Sequence, residues 1–359
     1  MSWEIDEDIS RAGTIDPRIH TDAALHQRCV EGALLPSWQL VPFGEPAHAV
    51  TPFNLLEDSL DEPLVLTRDG EAERVLSNVC THRGALLADV PADRAGLRCP
   101  YHGRRFDLAG AMTGCPGFEG AADFPRPEDD LAAPAFERVG PLRFVSLAPR
   151  IAFDAWAAPL RDSLAEFEGE ALRFDPAGSH DHEVDASWAL YCENYLEGFH
   201  VPFVHPGLNA GLDFSRYRTE LLPHGVRQLG FASGDEPRLA KATEDDLVAD
   251  YLWLYPNLMV NVYAWGISVN LVEPRGVGRS RVRYLRWVAR PEHLGVGAGG
   301  DLGQVEREDQ EIVRSVQRGM RSRLYPGGRF SPRHETGAHH FQRLLAADLR
   351  ASEALWGRF

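Results

Sequence analysis

The chain has 359 residues, room for about two domains at roughly 150 residues each. Its 44% hydrophobic and 25% charged content are those of a soluble globular protein with sizeable cores, not of a disordered chain. A net charge of −16 argues against a nucleic-acid partner. No run of about 18 apolar residues offers a membrane span, and the acidic, polar opening lacks the basic and apolar parts of a secretory leader.

Residues 1–35 read as an N-terminal helical arm, with a capping candidate at 21 and a glycine stop at 32. His20 and His26 on this arm are expected at its surface. From residue 36 to about 150 the pattern turns to short strands, with a hairpin over 64–76 that turns at Asp69-Gly70 and a closing strand at 142–147. Residues 125–130 are rich in proline and acid and read as a loop. A helix is expected near 156–168, and residues 177–183, with His180 and His182, read as a polar, solvated joint. Residues 253–289 read as a β meander, with strands at 258–263, 267–272 and 281–288. Two helices, about 305–321 and 337–350, finish the chain. His339 and His340 on the last are expected at its surface.

The first chemical centre is Cys80-Thr-His82 followed, after sixteen intervening residues, by Cys99-Pro-Tyr-His102. Two cysteines and two histidines make a four-ligand metal set. Zinc would bind all four around one ion; a [2Fe–2S] cluster would take both thiolates on one iron and both imidazoles on the other. Zinc modules more often pair C-x2-C with a separate H-x3-5-H. Here each cysteine precedes its own histidine, and Gly84, Pro100 and Gly103 suit tight loops whose N–H groups can face bridging sulfides. This stretch resembles the Rieske cluster-binding motif. The remaining cysteines, Cys29, Cys115 and Cys192, are odd in number and lack framework spacing, as expected of free thiols in a reducing cytoplasm.

The second centre lies around His200 and His205. Five residues on a regular helix are about 140° of rotation, too far around for one metal. Pro202 between them is expected to break the helix and let the imidazoles meet. A third ligand is sought on the 305–321 helix. With Val305 at zero, Ile312, Val316 and Met320 fall within about 60° and form the expected buried stripe. Asp309 falls inside that stripe at about 40°, Glu308 at its edge, and Glu306 and Glu311 further away. A carboxylate on an apolar face must be neutralised, hydrogen-bonded or coordinated. Two histidines and one carboxylate form the facial triad of non-haem Fe(II) oxygenases; a structural ion pair with an arginine is the plainer reading of Asp309.

Together, the Cys/His pattern, Glu197-Gly-Phe-His200-Val-Pro-Phe-Val-His205 and the segment 308–319 resemble the catalytic α subunits of Rieske non-haem iron oxygenases, the ring-hydroxylating family. The resemblance runs from about residue 36 to the C-terminus. It implies an α+β chain: an all-β Rieske [2Fe–2S] domain over 36–150, with Cys80, His82, Cys99 and His102 as ligands, and a helix-grip catalytic domain over 151–359. There His200, His205 and Asp309 would hold Fe2+. It implies α3 or α3β3 assembly, a homotrimer here, with Glu197 bridging His102 of one subunit to His200 of the next. It further implies O2 as co-substrate and NAD(P)H electrons arriving through a separate flavin and iron–sulfur reductase, directly or by way of a ferredoxin.

Glutamate at 197, with Asn194 three residues earlier, and the stretch 322–345 resemble the branch acting on quaternary amines. For such a substrate Trp253, Tyr255, Tyr263 and Trp265 are the candidate aromatic cage, attracting a cation to their ring faces. The products expected are an alcohol or a dealkylated amine plus aldehyde. Hydroxylation or dihydroxylation of an aromatic compound is the alternative. A Rieske electron carrier without oxygenase activity is a more distant one, which the 200 residues beyond the first domain argue against.

Overall fold

The computed structural model describes residues 3–207, 213, 215–240, 246–300 and 302–356. Nine short strands build the first half in three small antiparallel sheets. β1 (Gln39–Leu40) pairs with β9 (Leu142–Ser146), which pairs with β8 (Ala135–Val139). β2 (Val50–Leu55), β3 (Glu62–Asp69) and β4 (Ala72–Ser77) form a meander, its hairpin turning at Asp69-Gly70 as expected. β5 (Leu97–Arg98), β6 (Arg105–Phe106) and β7 (Met112–Gly114) form the third sheet. The Cys80 loop follows β4 and the Cys99 loop joins β5 to β6. Beneath both loops lies a core of its own, in which Val65, Leu76, Leu97 and Phe106 pack with the two cysteines.

The second half is an eight-stranded antiparallel sheet. β10 (Arg173–Phe174), β17 (Ser280–Val288), β16 (Gly266–Pro274), β15 (Leu258–Tyr263), β14 (Leu247–Leu254), β13 (Gly225–Phe231) and β12 (Arg218–Leu222) lie in that order, and β11 (His180–Val184) also pairs with β17. Every residue of β15 is buried, so this strand does not alternate; a sheet covered on both faces needs none. On one face α2 (Phe153–Leu164) packs Trp156, Ala157 and Leu160 against Leu252, Leu254 and Val260. The other face is gripped by three helices: α3 (Trp188–Tyr195), α5 (Leu302–Met320) and α6 (Thr336–Trp356). α4 (Val201–Val204) is a single turn beyond α3.

The N-terminal arm differs from its expectation in two ways. α1 (Ala23–Cys29) is capped by Asp22, and the chain then winds through a π-turn, Val30–Leu34, so Gly32 sits inside a helical turn and stops nothing. His20 and His26 are buried, not at the surface, because the arm is clamped on the end of the chain. Ile15 N donates to Gln342 Oε1 at 2.6 Å and Arg28 to the Leu349 carbonyl at 2.9 Å. His339 bonds the Asp6 carbonyl and His340 the Leu222 carbonyl, both at 2.8 Å, so these two histidines act as struts and His339 is itself buried. The segment expected as a solvated joint at 177–183 is in large part β11, held by five register pairs to β17.

Candidate metal centres

The two loops of the first centre are built alike. Cys80 N donates to Ala85 O at 2.8 Å and Gly84 N to Cys80 O at 3.0 Å; Cys99 N donates to Arg104 O at 2.8 Å and Gly103 N to Cys99 O at 3.0 Å. Gly84 and Gly103 close these turns at φ 72° and 77°, a left-handed backbone that a side chain would strain. Both cysteines are buried, while the His82 and His102 rings meet edge-on with centroids 4.8 Å apart and His102 is exposed. Burial raises the Cys80 thiol; for Cys99 burial acts the same way, but the N–H groups of His102 and Tyr101 outweigh it and lower the thiol.

His82 Nδ1 is buried with no hydrogen-bond partner among the described residues. Such orphans are rare, and a ligating nitrogen is one of the few accounts of them. Arg104 ties the loops together from below: buried, it donates to Thr81 Oγ1 at 2.7 Å, Asp129 Oδ1 at 3.2 Å and Cys115 Sγ at 3.3 Å. Cys115 is therefore a half-buried acceptor, whereas Cys29 and Cys192 are buried thiols. Two buried sulfurs and two adjacent imidazoles fit a cluster held by Cys2His2.

The second centre bends the chain differently from expectation. α3 has already ended at Tyr195, and Pro202 lies in the first turn of α4, where a missing N–H costs nothing. His200 and His205 bracket this one turn as its two caps, and their ring centroids come within 5.1 Å. Their Nε2 atoms lie 3.6 and 3.0 Å from Asp309 Oδ1. The three ligand atoms all fall within 4.8 Å of one another.

Each of these groups is held from behind. Glu197 takes the Nδ1 of His200 at 2.7 Å and also accepts the His200 backbone N–H at 3.0 Å. Glu308 takes the Nδ1 of His205 at 2.7 Å, and Asn194 Nδ2 donates to Asp309 Oδ1 at 2.6 Å. A carboxylate on Nδ1 fixes that nitrogen as the donor and turns Nε2 toward a metal. Burial alone would lower His205, yet hydrogen bonds to and the charges of Asp309 and Glu308 hold it above its ordinary value. His205 is 1% exposed.

α5 does not present the face expected of it. Ile312 and Val316 are 37% and 38% exposed, while Glu306, Gln310, Val313 and Gln317 are buried. Asp309 faces inward because the inner side of this helix is polar and hydrogen-bonded, not because it shares an apolar stripe. Gln317, for example, accepts Ser187 N at 2.8 Å and donates to His20 O at 3.1 Å.

A cavity opens over His200, His205 and Asp309. Six tyrosines line it: Tyr191, Tyr195, Tyr217, Tyr251, Tyr263 and Tyr284. Of the four residues proposed for a cage, only Tyr263 is among the lining. Trp265 stacks on Tyr263 at 5.4 Å and lines an adjoining hollow. Trp253 and Tyr255 share a face with Tyr251 but lie farther along, roofed by α6: Trp253 packs on Phe341 at 5.4 Å, and Tyr255 donates to Asp348 at 2.7 Å. Sequence reasoning missed the other five tyrosines. Tyr191 and Tyr195, four apart beside Asn194, were legible as one helix face. A second cluster, His180, His182 and Glu306, also brings its potential ligand atoms within 4.8 Å.

A family profile for the catalytic domain of the ring-hydroxylating α subunit matches residues 171–351. The chain belongs to this family. A Rieske [2Fe–2S] domain profile matches residues 53–125. Choline monooxygenase of Beta vulgaris is 28% identical over 336 residues, covering 90% of this chain and 74% of the relative. The carnitine monooxygenase oxygenase subunit of Escherichia coli K12 is 26% identical over 372 residues, 93% of either chain. The solved structure of a quaternary ammonium Rieske monooxygenase, studied for carnitine oxidation by gut microbiota, superposes with a TM-score of 0.77 at 22% identity, over 97% of this chain and 98% of that one. The ring-hydroxylating subunit described here is thus a Rieske-type oxygenase with a [2Fe–2S] site and a mononuclear iron site, and its β-rich Rieske and helix-grip parts follow the family architecture.

Proposed function

We propose that this subunit is the terminal oxygenase for a quaternary amine, which it hydroxylates or oxidatively N-demethylates with electrons from NAD(P)H delivered by a separate reductase. The observation that carries the reading is the tyrosine-lined cavity directly over His200, His205 and Asp309. A quaternary ammonium has no N–H to donate and is attracted to ring faces, which six tyrosines supply. The choline and carnitine monooxygenases among its relatives support it.

In this reading Cys80, His82, Cys99 and His102 hold the cluster, and His200, His205 and Asp309 hold the iron. When bound, the two centres supply single-electron delivery and reductive O2 activation. The protein's own part is placement. Glu197 and Glu308 hold the imidazoles, Asn194 orients the Asp309 carboxylate, and the tyrosines seat the substrate and exclude water.

Electron passage across a subunit boundary, in a homotrimer, is part of the proposal. It is supported by the exposure of the His102 ligand and of Tyr101 beside it, and by Phe203, 78% exposed, on the turn that carries His200 and His205. Glu197 is the proposed bridge. The test is product analysis: reduced enzyme is given O2 with a panel of quaternary amines and simple aromatics, and products are read by mass spectrometry. Formaldehyde with a demethylated amine, or a hydroxylated amine, is expected. A dihydrodiol or phenol would transfer the subunit to the aromatic class.

A further inference from the structure

The cavity is unbalanced in charge. Among the described residues no lysine or arginine lines it, whereas Glu197, Glu306 and Asp309 all do. Two of these are engaged at the metal centre, Glu197 with His200 and Asp309 with His205 and Asn194. Glu306 has no such duty. It lies one turn before Asp309 on α5, is 8% exposed, and no arginine or lysine forms an ion pair with it among the described residues.

What holds Glu306 comes from outside the cavity. His180 on β11 meets its Oε2 at 2.8 Å and stacks on Tyr284, with ring centroids 5.0 Å apart. Tyr284 in turn shares a 2.5 Å hydrogen bond with Tyr191, so Glu306, His180 and two cavity tyrosines form one wall. Burial pushes the Glu306 carboxyl up, and the His180 hydrogen bond, the charge of His180 and that of Arg307 oppose it; the charge of Asp309 adds to the upward push. A buried carboxylate whose one partner is a histidine is less fully compensated than one paired with arginine or lysine, and one facing a ligand cavity is relieved by a cation in that cavity. For an anionic group the described lining offers no lysine or arginine, only neutral donors and the histidines of the metal centre. Apart from His200, His205 and the tyrosine hydroxyls, the cavity's other polar lining among the described residues is neutral: Asn194, Gln228, Asn261, Ser268 and Asn270.

We infer that the cavity takes an amine cation whose other end is neutral, such as a hydroxyl, with Glu306 as its counter-charge, and that it discriminates against betaine-type zwitterions carrying a carboxylate. This deepens the quaternary-amine reading and rests on it. Specificity here comes as much from the unpaired carboxylate a zwitterion would bring as from the contacts a plain cation makes.

The experiment measures binding to the anaerobic, iron-loaded enzyme by calorimetry. The ligands are choline, L-carnitine and the uncharged isostere 3,3-dimethylbutan-1-ol. Choline should bind about tenfold or more tightly than either of the others. Glu306→Gln should weaken choline about tenfold or more while leaving the isostere unchanged, and Glu306→Asp should restore most of the loss. Iron content and the visible spectrum of the cluster, unchanged in both variants, show that the fold and metals survive. Carnitine binding as tightly as choline, or a Glu306→Gln variant that weakens charged and uncharged ligands alike, would overturn the inference and leave the quaternary-amine reading standing. If neither choline nor carnitine binds the loaded enzyme, both fall together.

Discussion

The two candidate centres would solve the same problem, holding a metal with histidine and a second ligand type, in opposite ways. The Cys80–His102 set is local: two look-alike loops closed by glycines, with sulfurs buried and one imidazole at the surface. The His200–Asp309 set is assembled from a one-turn helix and a distant long one, with His205 sealed from solvent and a carboxylate behind each imidazole. The difference fits the two tasks. An outer-sphere electron carrier needs a rigid, exposed edge and no open coordination position, whereas an oxygen-activating site needs an enclosed cavity and ligands that leave room. What the local set gains from loop geometry, the dispersed set must gain from supporting hydrogen bonds.

The sharpest test of that contrast removes one ligand from each. Asp309→Ala should abolish turnover, cutting bound iron from about three to about two per chain with the cluster's visible spectrum intact. Cys99→Ser should lose both the colour and the turnover. If Asp309→Ala bleaches the cluster, the centres are not independent. Next in size, Glu308→Gln should weaken iron binding about 10- to 100-fold, read by chelator competition, because His205 loses the group that orients it. Arg104 buttresses the other centre through three separate hydrogen bonds, to Thr81, Asp129 and Cys115, so iron retention there should depend less on any one carboxylate.

Glu197→Gln should leave both metals bound yet slow reoxidation of the reduced cluster in a single turnover with substrate and O2. Normal rates in that variant would remove Glu197 from the electron path. The smallest effect concerns stability. Burial depresses His20 to about 3, so it stays neutral in the folded chain while the unfolded chain takes a proton below about 6.5. The unfolded state then binds more protons, and stability, full above pH 6.5, falls as pH drops through that window toward 3, by at most about 1.4 kcal/mol per pH unit. His20→Asn should flatten the fall of the urea midpoint between pH 7 and 5; an unchanged slope would mean that His20 does not control it.

The four candidate ligands of the first centre were legible because they lie within one short stretch with the glycines at 84 and 103, whereas the braces Cys115 and Asp129 lie outside it. For the second, the residues were legible and the reasons were not. Pro202 pointed to an irregular backbone, but it begins a turn instead of breaking one. Asp309 was reached through an apolar stripe that the helix does not have; its buried face carries Glu306, Gln310 and Gln317, whose partners come from other elements, and periodicity cannot register such partners. The cage was misplaced for a related reason. Aromatic density marks a sheet face, but which end of that face α6 covers is decided by tertiary packing.

The clamp between the arm and the last helix has a consequence for synthesis. Ile15 finds its partner Gln342 across 327 residues, and Trp3, Ile15, Ile19 and Leu25 are buried only when that region arrives. At translation rates of roughly 5–20 residues per second, the arm waits about a quarter of a minute to a minute with its apolar side chains uncovered. The Rieske half, with its own core, can close long before then. On the ribosome the arm, made before the Rieske half, is therefore completed after it.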